Sequence, residues 1–218
     1  MTECKDDTVV AEATTKCTPK DDKSPEKAEV PKCDVEPPTD TDTQWVAAML
    51  FAEATAGRIE DDEREAIAWV ILNRKAHNSK YAGEGMGTTD IKSILVAPDQ
   101  FIGYKNSNWR LVMNADDTMK DKETLSKLLS QSKIGKTKDG KLTVCESFKH
   151  CVAVAKKAMA PGAEPSDPTY KTFIAYQKAK FAGSYRWEWA AKIGEHNFHK
   201  WRDGYENPKQ IPKKKPKS

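Results

Sequence analysis

The sequence predicts a mostly α-helical domain with at most a small β element, preceded by a disordered acidic tail. Three observations carry this. All 18 aromatic residues lie at or after Trp45; apolar residues from there to Ala160 recur mainly at helical spacing behind capping side chains; one stretch alone, Tyr170 to Gln177, mixes aromatic and β-branched residues as a strand does. Residues 1–44 hold 12 acidic side chains, 6 lysines and 5 of the 12 prolines. A segment of charge −6 without aromatics buries too little apolar surface to offset chain entropy. The expected organisation is therefore a tail or linker over 1–44, a folded domain over 45–207 and a basic disordered tail over 208–218.

The elements follow in order. Asp42-Thr43-Gln44 offer helix caps ahead of Trp45, Ala48, Met49, Ala52 and Ala56, a core helix that should end at Gly57. A second helix opens at Asp62, with Glu65 completing a capping-box pattern, and stops near Asn78. Glycines between Tyr81 and Gly87 mark a loop, followed by a short helix from Thr89 to Val96 ahead of Pro98. Leu125, Leu128 and Leu129 among charges predict a surface helix over 119–131, and Gly135 to Gly140 a lysine-rich turn. A helix from Ser147 to Ala160 and the strand near Tyr170–Gln177 complete the set. Trp187 and Trp189 would share one side if extended, and core packing is the favoured role for them.

Several function classes are excluded. The longest apolar run, Trp45 to Ala52, is far short of the roughly 20 residues of a membrane helix, so no membrane insertion is expected. No glycine-rich phosphate loop is present, and no cofactor is expected. His196 and His199 lack a third ligand at metal spacing, and the tail cysteines Cys4, Cys17 and Cys33 are too far apart for zinc patterns, so no metal is expected. Cys145 and Cys151 bracket the expected helix start at Ser147, where a bridge and a pair of ordinary thiols weigh equally.

One carboxylate stands out. Glu53 has Met49, Leu50, Ala56 and Gly57 as helical neighbours and no lysine or arginine placed to pair with it. Burial would raise its pKa and keep it protonated near neutrality, as a general acid requires. The competing reading, a stray solvent-facing acid near a helix end, is the commoner outcome of such spacing.

The blocks Phe51-Ala52-Glu53-Ala54, Ala68-Trp69-Val70-Ile71-Leu72-Asn73-Arg74, Pro98-Asp99-Gln100-Phe101 and Ile193-Gly194-Glu195-His196-Asn197-Phe198 occur in one order over residues 45–201. In this the chain resembles the cell-wall hydrolases typified by the spore cortex-lytic enzymes. The resemblance implies a lysozyme-like, lytic-transglycosylase-like helical domain that cleaves the glycan strand of peptidoglycan, with Glu53 as catalytic acid. Glu195 replaces the family's usual glycine before the late histidine, and Thr55-Ala56 depart from its usual Arg-Gly.

Cleavage of the β-1,4 bond between N-acetylmuramic acid and N-acetylglucosamine needs a proton for the leaving oxygen, which Glu53 would supply. A lytic transglycosylase uses the one glutamate as acid and then base; a hydrolysing N-acetylmuramidase adds a second carboxylate, for which Asp99 and Glu195 are the candidates. The resemblance favours the first route. Gln100, Phe101, Tyr176 and His196 are the candidate sugar contacts, although Phe101 also suits a core position. Beyond residue 44 the chain carries 30 basic and 21 acidic side chains, a charge of +9 that suits an anionic polymer. Its lysines are scattered, which favours peptidoglycan over nucleic acid. A non-catalytic wall-binding module is the reading from another class. The first residues lack the basic and apolar regions of a secretory signal. Action at the wall or periplasm would then need delivery by a type VI secretion system or phage lysis, or membership of a larger protein. An injected toxin would also need an immunity protein as partner.

Overall fold

The computed structural model describes residues 32–53, 61–82, 88–97, 101–132, 143–178 and 186–207. Helix α1 (Thr41–Glu53) is the centre of the molecule. Its sequence, apolar on every side from Trp45 to Ala52, leaves no face for water, and Val46 to Phe51 are wholly buried. It packs on α6 (Val144–Met159), α4 (Ser107–Val112) and α3 (Ile91–Val96). The Phe51 and Phe148 rings meet edge to face at 5.2 Å, and Trp45 contacts Trp109 at 5.0 Å. The cap is Asp40, whose Oδ1 accepts from the Thr43 N–H at 2.8 Å, two residues ahead of the Asp42-Thr43-Gln44 group expected to supply it. The expected helix end at Gly57 and the turn over 135–140 lie outside the described residues.

Helix α2 (Asp61–Lys80) spans the domain and packs on α6 and on the sheet. It opens with five charged residues, yet Glu63, Arg64 and Glu65 are buried. Each acts as a clamp. Arg64 donates to Ser147 Oγ on α6 at 3.2 Å and to Asp61 at 2.9 Å. Glu65 accepts from the Ser166 N–H and hydroxyl at 2.9 and 2.7 Å, so its carboxylate holds the loop after α6 in place of the expected capping box. A capping box does form at α6, between Thr143 and Glu146, which starts that helix three residues ahead of Ser147. Helix α5 (Lys122–Gln131), capped by Asp121, covers the far side.

The expected mostly α, lysozyme-like domain with at most a small β element is corrected. Beside the six α-helices of the described residues stands a three-stranded antiparallel sheet in the order β1-β3-β2, from β1 (Phe173–Gln177), β2 (Trp187–Ile193) and β3 (His196–Trp201). Only β1 was expected. Strands β2 and β3 form a hairpin through Gly194-Glu195, with Gly194 at φ 56°, first in a two-residue turn where a residue without a Cβ is favoured. Trp187 and Trp189 are thus on extended chain, and Trp189 remains 47% exposed rather than packed in the core.

The packed chain starts before the composition break at residue 44. Cys33 and Val35 are buried, and Cys33 is bonded to Cys145 with Cα atoms 5.6 Å apart. The Cys145–Cys151 pairing does not occur, and Cys151 is a buried free thiol. Because α6 begins at Val144, the two lie six helical positions apart, roughly 9 Å along the axis and on different faces.

Candidate functional site

The last residue of α1 is Glu53, the point where the buried helix reaches a surface. Its Oε1 accepts the Gly103 N–H at 2.6 Å. The loop carrying that donor is pressed onto the helix end: a Cβ at Gly103 would lie 2.8 Å from the Ala52 Cβ and 3.0 Å from Glu53 Oε1, so only glycine fits the approach. Asn106 anchors the loop twice. Its Nδ2 donates to the Ala52 carbonyl at 2.9 Å, satisfying an orphan acceptor at the end of α1, while its Oδ1 accepts from the Trp109 N–H at 2.9 Å and starts α4. One side chain therefore ties the end of α1 to the start of α4.

Tyr176 reaches the site from β1. The Leu72-Asn73-Arg74 block of α2 fixes the start of that strand: Asn73 Nδ2 donates to the Tyr170 and Phe173 carbonyls, both at 2.7 Å, and Arg74 Nε to the Ile174 carbonyl at 2.7 Å. The Tyr176 ring stands edge-on to His196 at 5.0 Å and 5.9 Å from Phe101, which carries the Arg74 guanidinium over its face at 4.9 Å. The Tyr176 hydroxyl is buried near the Glu53 carboxyl, close enough for each to shift the other's ionisation, without closing a hydrogen bond of ordinary geometry.

His196 is 1% exposed, with Nδ1 2.5 Å from Oε1 of Glu63. The same oxygen accepts the N–H groups of Glu195 and His196 at 2.8 and 2.9 Å. Glu63 is wholly buried, and a Cβ at Gly194 would collide with its carboxylate.

The electrostatics favour a protonated Glu53. Desolvation pushes its pKa above the ordinary glutamate value; the Gly103 N–H, the charge of His196, the Tyr176 hydroxyl and Lys178 oppose that rise without cancelling it. The carbonyl end of a helix also disfavours an anion. Burial first, and the nearby Glu53 charge second, push the Tyr176 phenol well above its ordinary pKa, so it stays a donor. Burial lowers the Arg74 guanidinium to about 10, leaving it cationic at neutral pH.

Four of the five residues expected from the sequence thus lie in one neighbourhood: Glu53, Phe101, Tyr176 and His196. Gln100 and the candidate second carboxylate Asp99 lie outside the described residues. Phe101 is 7% exposed, so its ring packs beneath the site more than it faces outward. Glu195 sits in the exposed hairpin turn, where its backbone N–H rather than its carboxylate is engaged. Gly103, Asn106 and Glu63 were not anticipated. The sequence signal for Gly103 was its place two residues after Phe101, while Glu63 was hidden among the acids that any helix start favours.

No group of three or more His, Cys, Asp or Glu among the described residues could hold a metal ion, and none of the described helices is long and apolar enough to cross a membrane. A cavity of about 240 Å³ opens elsewhere, between Arg74 and His77 of α2 and the paired Trp187 and Trp201; Glu53 does not line it. Compared with family models, with curated proteins and with solved structures, the chain matches none.

Proposed function

We propose that this chain cleaves the glycan strand of peptidoglycan between N-acetylmuramic acid and N-acetylglucosamine, with Glu53 as general acid and then general base. The observation that carries the reading is a desolvated carboxyl at the end of the buried helix, held by one backbone donor, with a phenol and an imidazole that pack on each other close enough to influence its charge. Such a group keeps its proton until a leaving oxygen takes it. As the C1–O4 bond breaks, the proton of Glu53 passes to O4 of the departing N-acetylglucosamine, and positive charge develops at C1 of the muramyl ring. The resulting Glu53 carboxylate then removes the proton of the muramyl C6 hydroxyl, whose oxygen bonds to C1 and closes a 1,6-anhydro ring. No water is consumed.

The carboxylates described near Glu53 favour this single-glutamate route over the hydrolysing muramidase. Glu63 is sealed behind His196, and Glu195 stands in an exposed turn. The Cys33–Cys145 bond supports action in an oxidising compartment such as the periplasm or the cell exterior. The test is digestion of purified peptidoglycan by the wild-type chain and by Glu53→Gln. Soluble muropeptides from the wild type alone would support the reading. Binding to sacculi without any release would instead identify a wall-binding module.

A further inference from the structure

Glu63 is a wholly buried carboxylate that the proposed chemistry does not use. It sits in the first turn of α2, yet it spends its bonding on the far hairpin, 132 and 133 residues away in sequence. Three donors converge on Oε1: the Glu195 N–H, the His196 N–H and the His196 ring. Two of these are backbone N–H groups, which can only donate, so Oε1 already serves as an acceptor, and a Glu63 carboxylate would take its third bond from a protonated Nδ1.

The neighbouring sequence is shaped to permit this bond. Gly194 has φ 56° and no room for a Cβ against the Glu63 carboxylate, so the turn brings two backbone donors onto one oxygen. The ring so held meets Tyr176 edge-on at 5.0 Å, and the Tyr176 hydroxyl is buried toward Glu53. Glu63 is thus bonded to His196, the His196 ring packs on Tyr176, and the Tyr176 phenol and the Glu53 carboxyl influence each other's ionisation.

We infer that Glu63 is a positioning residue for the Glu53 site, holding His196 in a single tautomer against Tyr176 and so setting the place and charge of the groups that Glu53 faces. This role rests on the glycan-cleaving reading of Glu53. A purely structural Glu63 would lock the hairpin without affecting turnover by properly folded protein.

The test uses the full chain as wild type, Glu63→Gln, His196→Gln and the double variant. Glutamine keeps the size and an acceptor oxygen but removes the charge. Nitrogen-15 shifts of the His196 ring should report a protonated Nδ1 in the wild type and a mixture of tautomers in Glu63→Gln. In folded protein, Glu63→Gln should lower kcat about tenfold with KM unchanged, roughly the 1.4 kcal/mol of one decade. The double variant should be no slower than His196→Gln, because Glu63 acts through the ring. An unchanged His196 tautomer in Glu63→Gln, or a double variant slowed by the product of the two single effects, would overturn the inference. Absence of glycan release by the wild type would remove the reading of Glu53, while the nitrogen shifts would still decide whether Glu63 governs His196.

Discussion

The N–H of Gly103 meets Oε1 of Glu53 at 2.6 Å across fifty residues of sequence. The contact joins the end of the central helix to a loop that Asn106 ties down from the other side. It orients the carboxyl, and by supplying one donor it moderates the pKa rise that burial imposes.

Glu53→Gln should separate activity from stability. Loss of the acid should slow glycan release about 100- to 10,000-fold. Stability should move the other way at neutral pH. With its pKa raised in the folded state, Glu53 retains a proton that the unfolded chain releases, so stability falls as pH rises from the unfolded value of 4.5 through the folded one. Thermal melting should show the variant more stable than wild type near pH 7, with the difference closing as the pH drops below that unfolded value.

Tyr176→Phe should move the alkaline limb of the kcat profile. The groups acting on Glu53 are the Gly103 N–H, His196, Tyr176 and Lys178, all of which lower its pKa against desolvation. Removing the phenol oxygen takes away one of them, so the acid should hold its proton to higher pH and the limb should shift upward. A pH–rate series on solubilised glycan strands measures it.

Gly103→Ala should damage both fold and function. The added methyl would stand 2.8 Å from the Ala52 Cβ, and the cheapest relief is to move the loop off Glu53. A loss of about 1–3 kcal/mol is expected from such overpacking, with kcat reduced more than binding to sacculi. Denaturant melts and sedimentation assays read the two effects.

Cys145→Ser should lower stability by about 4 kcal/mol, because the bond it removes closes a loop of 112 residues in the unfolded chain. For a domain of this size that is about 10 °C in Tm. Cys151, buried and pushed up to about 11 by desolvation, should resist thiol reagents in the native protein.

The sequence singles out Glu53 as a carboxylate without a basic neighbour in an apolar run, a spacing that by itself more often marks a solvent-facing acid; the resemblance tips the reading, and desolvation does raise its pKa in the fold. Glu63 was not legible. An acid in the first turn of a helix has an ordinary explanation, and its actual partners lie at the other end of the chain. Cys33 was assigned to a tail for the same reason, since composition cannot register a bond to a residue 112 positions away. The hairpin was readable in part: Gly194-Glu195 is a two-residue turn between aromatic runs, but its residues were read as one continuous block. Local propensity thus identified five of the six helices of the described residues, α4 being the exception, with their described ends shifted by at most four residues, while the clamps between distant elements emerged only from the fold.

The central claim is that Glu53 cleaves glycan without water. Mass spectrometry of purified peptidoglycan treated with the wild-type chain and with Glu53→Gln tests it most directly. The account predicts 1,6-anhydromuropeptides from the wild type and none from the variant. Products with reducing muramyl ends would contradict the single-glutamate route, and equal release by Glu53→Gln would contradict the assignment of the acid itself.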